Sequence, residues 1–203
     1  MVPGLQRTPW RAKTRATALM VLRCARDTRA IGVPMPATAV SAPALAAIMA
    51  ADPGRLFETV AKEQGVTTRA VVEALPETMR RIAPGAAFID AMADIATWGE
   101  VTLIIHSDDG VMEFTGPIPR GEVGRGYFNL MGRTGFHGHL RHERCAAIAF
   151  VERPFMGRNS ASVLFMNVDG GIMFKVFVGR DEARELRADQ LAMFRALADR
   201  ICA

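Results

Sequence analysis

Two segments of this sequence share one design, and that design requires an antiparallel sheet. At 101–116 the chain reads VTLIIH, SDDG, VMEFTG; at 162–179 it reads SVLFMN, VDGG, IMFKVFVG. β-Branched, aromatic and other apolar residues fill the arms, and Asp and Gly stand at the bend, the pattern of a β-hairpin with an Asp-Gly turn. Aligning the bends matches Leu103 with Leu164, His106 with Asn167, Gly110 with Gly171 and Met112 with Met173, as an old duplication would. Between the hairpins, 127–131, 136–140 and 146–151 also have strand composition. The expected sheet has about seven strands.

Helical spacing flanks it. From 43 to 83 apolar residues recur at three and four, as in Leu56, Val60, Ala61 and then Val66, Val71, Val72, Leu75. Gly65 ends one helix, Thr67 or Thr68 caps the next, and Pro76 starts a break. Phe88, Ile89, Met92, Ile95 and Trp98 fit one helical face, stopped by Gly99. A last helix over 181–201 shows Ala183, Leu186, Gln190, Leu191, Phe194, Leu197 and Ile201 on one side. The fold class is therefore α+β: an N-terminal helical segment (41–100), then a large antiparallel sheet with a closing helix packed on it (101–203). The two parts are expected to form one compact unit, 41–203.

Residues 1–40 are left out of that fold as a disordered basic tail. Positions 1–34 hold seven Lys/Arg against one acid, whereas the other 169 residues hold 18 basic and 20 acidic. The excess charge belongs to the tail, so it does not argue for a nucleic-acid interface. Met35 is a credible alternative start. No apolar run approaches the roughly 18 residues that span a bilayer. Three widely spaced cysteines, Cys24, Cys145 and Cys202, form no CxxC and fit a reducing compartment, the cytoplasm.

Ala61, Gly65 and Val71 have helix-turn-helix spacing. The second helix would offer one base, Arg69, set against Glu73, which favours a structural helical hairpin over a DNA reader.

Chemistry concentrates elsewhere. All four histidines (His106, His137, His139, His142) and the one tyrosine, Tyr127, lie between 106 and 142. Alternation along strands puts His137 and His139 on one face, and Tyr127, Asn129 and Met131 on one face. Gly138 lets a flat ligand approach the backbone, and His106 could line the same cavity. Imidazole and phenolate are axial ligands of haem iron, and Met112, Met131, Met156, Met166 and Met173 offer soft apolar surface. A rival metal motif, His137-x-His139-x3-Glu143, lacks its flanking glycines at the required spacing.

GYFNLMGRTGFHGHL (126–140), Trp98-Gly99, PFMG (154–157), VLFMN (163–167) and KVFVGRDEARELRADQ (175–190) together resemble the cytosolic haem-utilisation carriers of the HutX/ChuX type. That family is related to each half of the two-repeat haem-degrading HemS/ChuS proteins. The resemblance implies haem as bound cargo, a homodimer, and delivery to a haem-degrading enzyme as recipient, with no catalytic residue of its own. It matches His106, His139 and Tyr127 to the haem-binding positions, any of which could meet the iron. His137 is an additional candidate, and Arg125, Arg133, Arg141 and Lys175 are candidates for the propionates. The alternatives are a haem-degrading enzyme of the HemS/ChuS type and a haem-responsive helix-turn-helix regulator.

Overall fold

Pro43 stands in the first turn of α1 (Ala42–Ala51), where a missing N–H leaves no bond unmade. Its buried positions are Leu45 and Met49, four apart. α2 (Phe57–Gln64) ends at Gly65, which adopts the left-handed φ of 64°. Thr67 caps α3 (Thr68–Glu73): the Ala70 N–H donates to its hydroxyl at 3.2 Å. The computed structural model describes residues 40–132 and 135–202, so the expectation for the tail lies outside the described residues.

Among the described residues there are nine strands in two sheets, in place of one sheet of about seven. Six strands run β1 (Arg80–Pro84), β7 (Cys145–Phe155), β8 (Arg158–Asn167), β9 (Ile172–Phe177), β2 (Glu100–Ser107) and β3 (Gly110–Pro117) in spatial order, antiparallel throughout. The second sheet is β4 (Gly121–Gly124), β5 (Tyr127–Leu130) and β6 (Gly138–Leu140). β1 interrupts the segment expected to be helical; it is a short edge strand led by Arg80 and Arg81, on the ladder of β7. Only the end of 136–140 pairs as a strand.

Both hairpins form. In the first, Ser107 pairs with Gly110, so Asp108 and Asp109 make the turn rather than Asp109 and Gly110. In the second, the Asn167 carboxamide oxygen accepts the N–H groups of Asp169 and Gly171, each at 2.9 Å. The duplication does not survive the register. Leu103 lies in one row with Val176 and Val163, not with Leu164, and Leu164 faces the opposite side of the sheet.

The six-stranded sheet is covered on one face and over part of the other. α1–α3 pack on Ala147, Ala149, Val151, Leu164 and Met166. The other face carries Ile148, Phe150, Val163, Phe165, Phe174 and Val176. Against it lie α4 (Phe88–Ile95), α5 (Ala188–Ile201), and Phe128 and Leu130 of the small sheet. Ile89 is exposed, while Phe88, Met92, Ile95 and Trp98 are buried as the spacing predicts. α5 begins at Ala188, not at 181. The Asp181 carboxylate accepts the Glu185 N–H and Arg184 turns left-handed at φ 64°, which holds 181–187 in a turn.

α3 is not presented to solvent as a reading helix. The Arg69 N–H and the Thr68 hydroxyl both donate to the Gly170 carbonyl, at 2.9 and 3.0 Å, and the Arg69 side chain pairs with Glu73 at 2.7 Å. Val71 and Val72 are buried. The helix-turn-helix spacing serves docking on the sheet.

Candidate functional site

β5 is the central strand of the small sheet, and alternation divides its residues. Phe128 and Leu130 enter the core, so Tyr127 and Asn129 face outward. His139 of β6 stands directly opposite Asn129 in the register, on that same outer face. The Tyr127 and His139 rings meet edge to face with centroids 5.9 Å apart, and the Arg141 guanidinium lies 5.9 Å from the Tyr127 ring. Gly138 has open space where a Cβ would stand.

The β4–β5 turn is made by Arg125 (φ 54°) and Gly126 (φ 80°), both left-handed. A type I′ turn requires that geometry, and a non-glycine residue in it is strained. It sets the exposed Arg125 beside Tyr127 in sequence.

The Asn129 carboxamide ties this surface together. Its Nδ2 donates towards the carbonyls of Glu122 (3.2 Å), Gly124 (3.1 Å) and Tyr127 (3.3 Å), and its Oδ1 lies 2.6 Å from His139 Nδ1. His139 itself is exposed.

The other histidines go elsewhere. His137 precedes β6, and its Nδ1 meets the Gly135 carbonyl at 3.1 Å, so it does not share a strand face with His139. The His142 ring lies 6.1 Å from Phe88, and its buried Nδ1 has no hydrogen-bond partner among the described residues. Arg133 lies outside the described residues.

His106 lies on the far side of the core. Leu103 and Ile105 of β2 pack with α4 and α5, which turns Ile104 and His106 towards the helical hairpin. The cavity that His106 lines, about 720 Å³, is walled by Glu58, Lys62, Thr67, Asp108 and Asp169, and contains neither Tyr127 nor His139. The common cavity expected for the three does not form within one chain. β-Pairing decides this: a strand's alternation separates its two faces but does not name what covers each.

Glu58, in the first turn of α2, is the residue that sequence reasoning missed here. Its Oε1 is 2.5 Å from Lys175 Nζ and its Oε2 3.5 Å from His106 Nδ1. The Lys175 contact is an ion pair, the His106 contact becomes one only with the ring protonated, and among the described residues neither Glu58 oxygen has a hydrogen-bond partner. Lys175, buried, is thereby committed within the chain. Nearby, the Arg153 guanidinium lies 3.8 Å over the Phe57 ring and donates to the Arg55 carbonyl at 2.7 Å. Burial pulls its pKa down to about 10, against the opposing pull of Glu58 and Asp52. Burial pushes the Cys145 thiol up to about 11, which keeps it protonated and a poor metal ligand at neutral pH.

The Haem utilisation ChuX/HutX family model matches residues 81–197, which include both hairpins, Tyr127 and His139. The intracellular haem transport protein HutX of Vibrio cholerae is 39% identical over 154 residues, 75% of this chain and 80% of that relative. The structure of the haem-binding protein ChuX aligns with a TM-score of 0.71 at 38% identity, over 77% of this chain and 97% of that one. Holo-PhuS, a haem-binding protein from Pseudomonas aeruginosa, shares the fold alone. Its TM-score is 0.64 at 20% identity, and 83% of this chain covers 49% of that one. On the strength of the matched motifs and the coverage, the chain belongs to the ChuX/HutX haem-utilisation family.

Proposed function

We propose that this protein is a cytoplasmic haem carrier, which holds haem after uptake and delivers it to a haem-degrading enzyme without consuming it. One observation carries the reading: an open sheet face on which His139 and Tyr127 stand side by side with Arg141 next to them. Imidazole and phenolate are both iron ligands, and the guanidinium suits a propionate. Exposure of His139 favours exchange of the cargo over reaction in a sealed pocket. The names of the relatives, a haem transport protein and a haem-binding protein, agree with this.

The working unit in this reading is a homodimer. Beyond the part covered by α1–α3, that face of the six-stranded sheet continues bare. Thr102, Ile104, Thr115, Phe155, Met156 and Phe177 line a cleft of about 490 Å³ there, with Met156 85% exposed. Such a surface favours a second copy. His106 shares that side of β2 with Ile104, so a partner seated there would border the His106 cavity.

The experiment is a hemin titration followed by optical spectroscopy on wild type and on His106→Ala, Tyr127→Phe and His139→Ala. A saturable Soret change near one haem per protomer, weakened by loss of a ligand, is expected. No saturable change in wild type overturns the carrier reading.

A further inference from the structure

We propose, on the reading of His139 as a haem ligand, that Asn129 is the positioning residue of this site. It holds His139 as the Nδ1–H tautomer and so presents Nε2, with its lone pair, to iron. The Asn129 amide cannot be turned over. Its Nδ2 faces three backbone carbonyls, those of Glu122, Gly124 and Tyr127, at 3.1–3.3 Å. An oxygen placed there would meet three acceptors and no donor. The orientation is thus fixed by the β4–β5 turn, and Oδ1 must point across to His139.

An acceptor 2.6 Å from Nδ1 requires the proton to be on Nδ1. The neutral ring then has its lone pair on Nε2, the nitrogen farther from the backbone. Register makes the contact dependable: Asn129 and His139 are directly opposed on neighbouring strands, where side chains stand about 4.5–5.5 Å apart at Cβ. Tyr127, edge-on to the imidazole, limits its rotation. Partners of this kind both select the tautomer and orient the ligating ring. The sequence supplies the arrangement through the alternation of Tyr127 and Asn129 on β5.

The test starts from haem-free protein with 15N-labelled histidine, above the imidazole pKa of about 6.5. Protonated and lone-pair imidazole nitrogens resonate far apart, so the tautomer of His139 is read directly. Wild type is expected to carry the proton on Nδ1. Asn129→Leu removes the acceptor and releases His139 from that tautomer; Asn129→Asp keeps an acceptor for Nδ1 and should keep Nδ1–H, although its second oxygen faces the three carbonyls and loosens the β4–β5 turn. Hemin titration should show Asn129→Leu weaker by about 10–100-fold, and Asn129→Asp weaker than wild type but tighter than Asn129→Leu.

A wild-type His139 protonated on Nε2 overturns the proposal, as does an Asn129→Leu protein with unchanged tautomer and haem affinity. Equal loss in both variants would assign Asn129 to the turn alone, and also overturns it. If His139→Ala binds haem as wild type does, the ligand reading fails and takes with it the presentation of Nε2 to iron. The haem-free spectra separate that failure from one of the tautomer.

Discussion

Glu58 Oε1 sits 2.5 Å from Lys175 Nζ, joining the first turn of α2 to the middle of β9 beside the His106 cavity. The lysine is buried, and both Glu58 carboxylate oxygens are buried although 22% of the side chain is exposed. Breaking a buried pair costs about 3–5 kcal/mol, which is the expectation for Glu58→Ala. The double variant Glu58→Ala/Lys175→Met should recover much of that. Urea unfolding of the three variants against wild type measures it, and a Glu58→Ala protein as stable as wild type contradicts it.

Gln190 is fully buried and bonds in three directions. Its Nε2 donates to the carbonyls of Trp98 and Glu100, both at 2.8 Å, and its Oε1 accepts the Gly179 N–H at 2.7 Å. Gln190→Leu leaves these backbone groups unpaired under α5, at about 3 kcal/mol. For a chain of this length that lowers Tm by roughly 6–12 °C, read by calorimetry.

His137 and His139 should behave differently although two residues apart. His139→Ala is expected to weaken haem binding about tenfold or more, or about 1.4 kcal/mol. His137→Ala, whose ring meets only a local loop carbonyl, should leave affinity and spectrum unchanged. A reversed order in a hemin titration would refute the assignment.

Seating of a second copy on the bare sheet face predicts a mass near twice 22.1 kDa by light scattering. Phe177→Glu and Met156→Asp, at residues lining that cleft, should give monomers that remain folded by circular dichroism. Dimers that ignore both substitutions would place the interface elsewhere.

The Cys145 thiol, raised from an ordinary value of 9.0 to about 11 by burial, gives a pH dependence of definite sign. The native state holds the thiol proton more tightly than the unfolded state. That contribution is intact below about pH 9 and is lost as pH rises towards about 11. Stability of wild type should therefore fall faster over that window than stability of Cys145→Ala. Parallel curves would show that the thiol contributes nothing.

Local chemistry made much of this legible. Gly65, Thr67 and the Asn167–Gly171 bend each name a conformation, and the face of α4 follows from its spacing. The pairing of strands did not follow. β1 opens with two arginines, and nothing in RRIAP announces a ladder partner near residue 150. The start of α5 was obscured because Ala183 and Leu186 continue a helical period that one Asp181 hydrogen bond and a left-handed Arg184 interrupt. At the site, Tyr127 and Asn129 could be assigned to one face by alternation alone. The separation of His106 from them, and the contact of Glu58 with Lys175, depend on residues far apart in sequence meeting across a sheet.

The Gly170 carbonyl that receives the Thr68 hydroxyl and the Arg69 N–H has a kinetic meaning. The contact spans 102 residues of chain. A helix of six residues is too short to persist alone, so α3 must wait for the β8–β9 turn before it gains its N-terminal partner. The wall of the His106 cavity formed by α2 and α3 therefore depends on a contact that requires long-range closure of the chain.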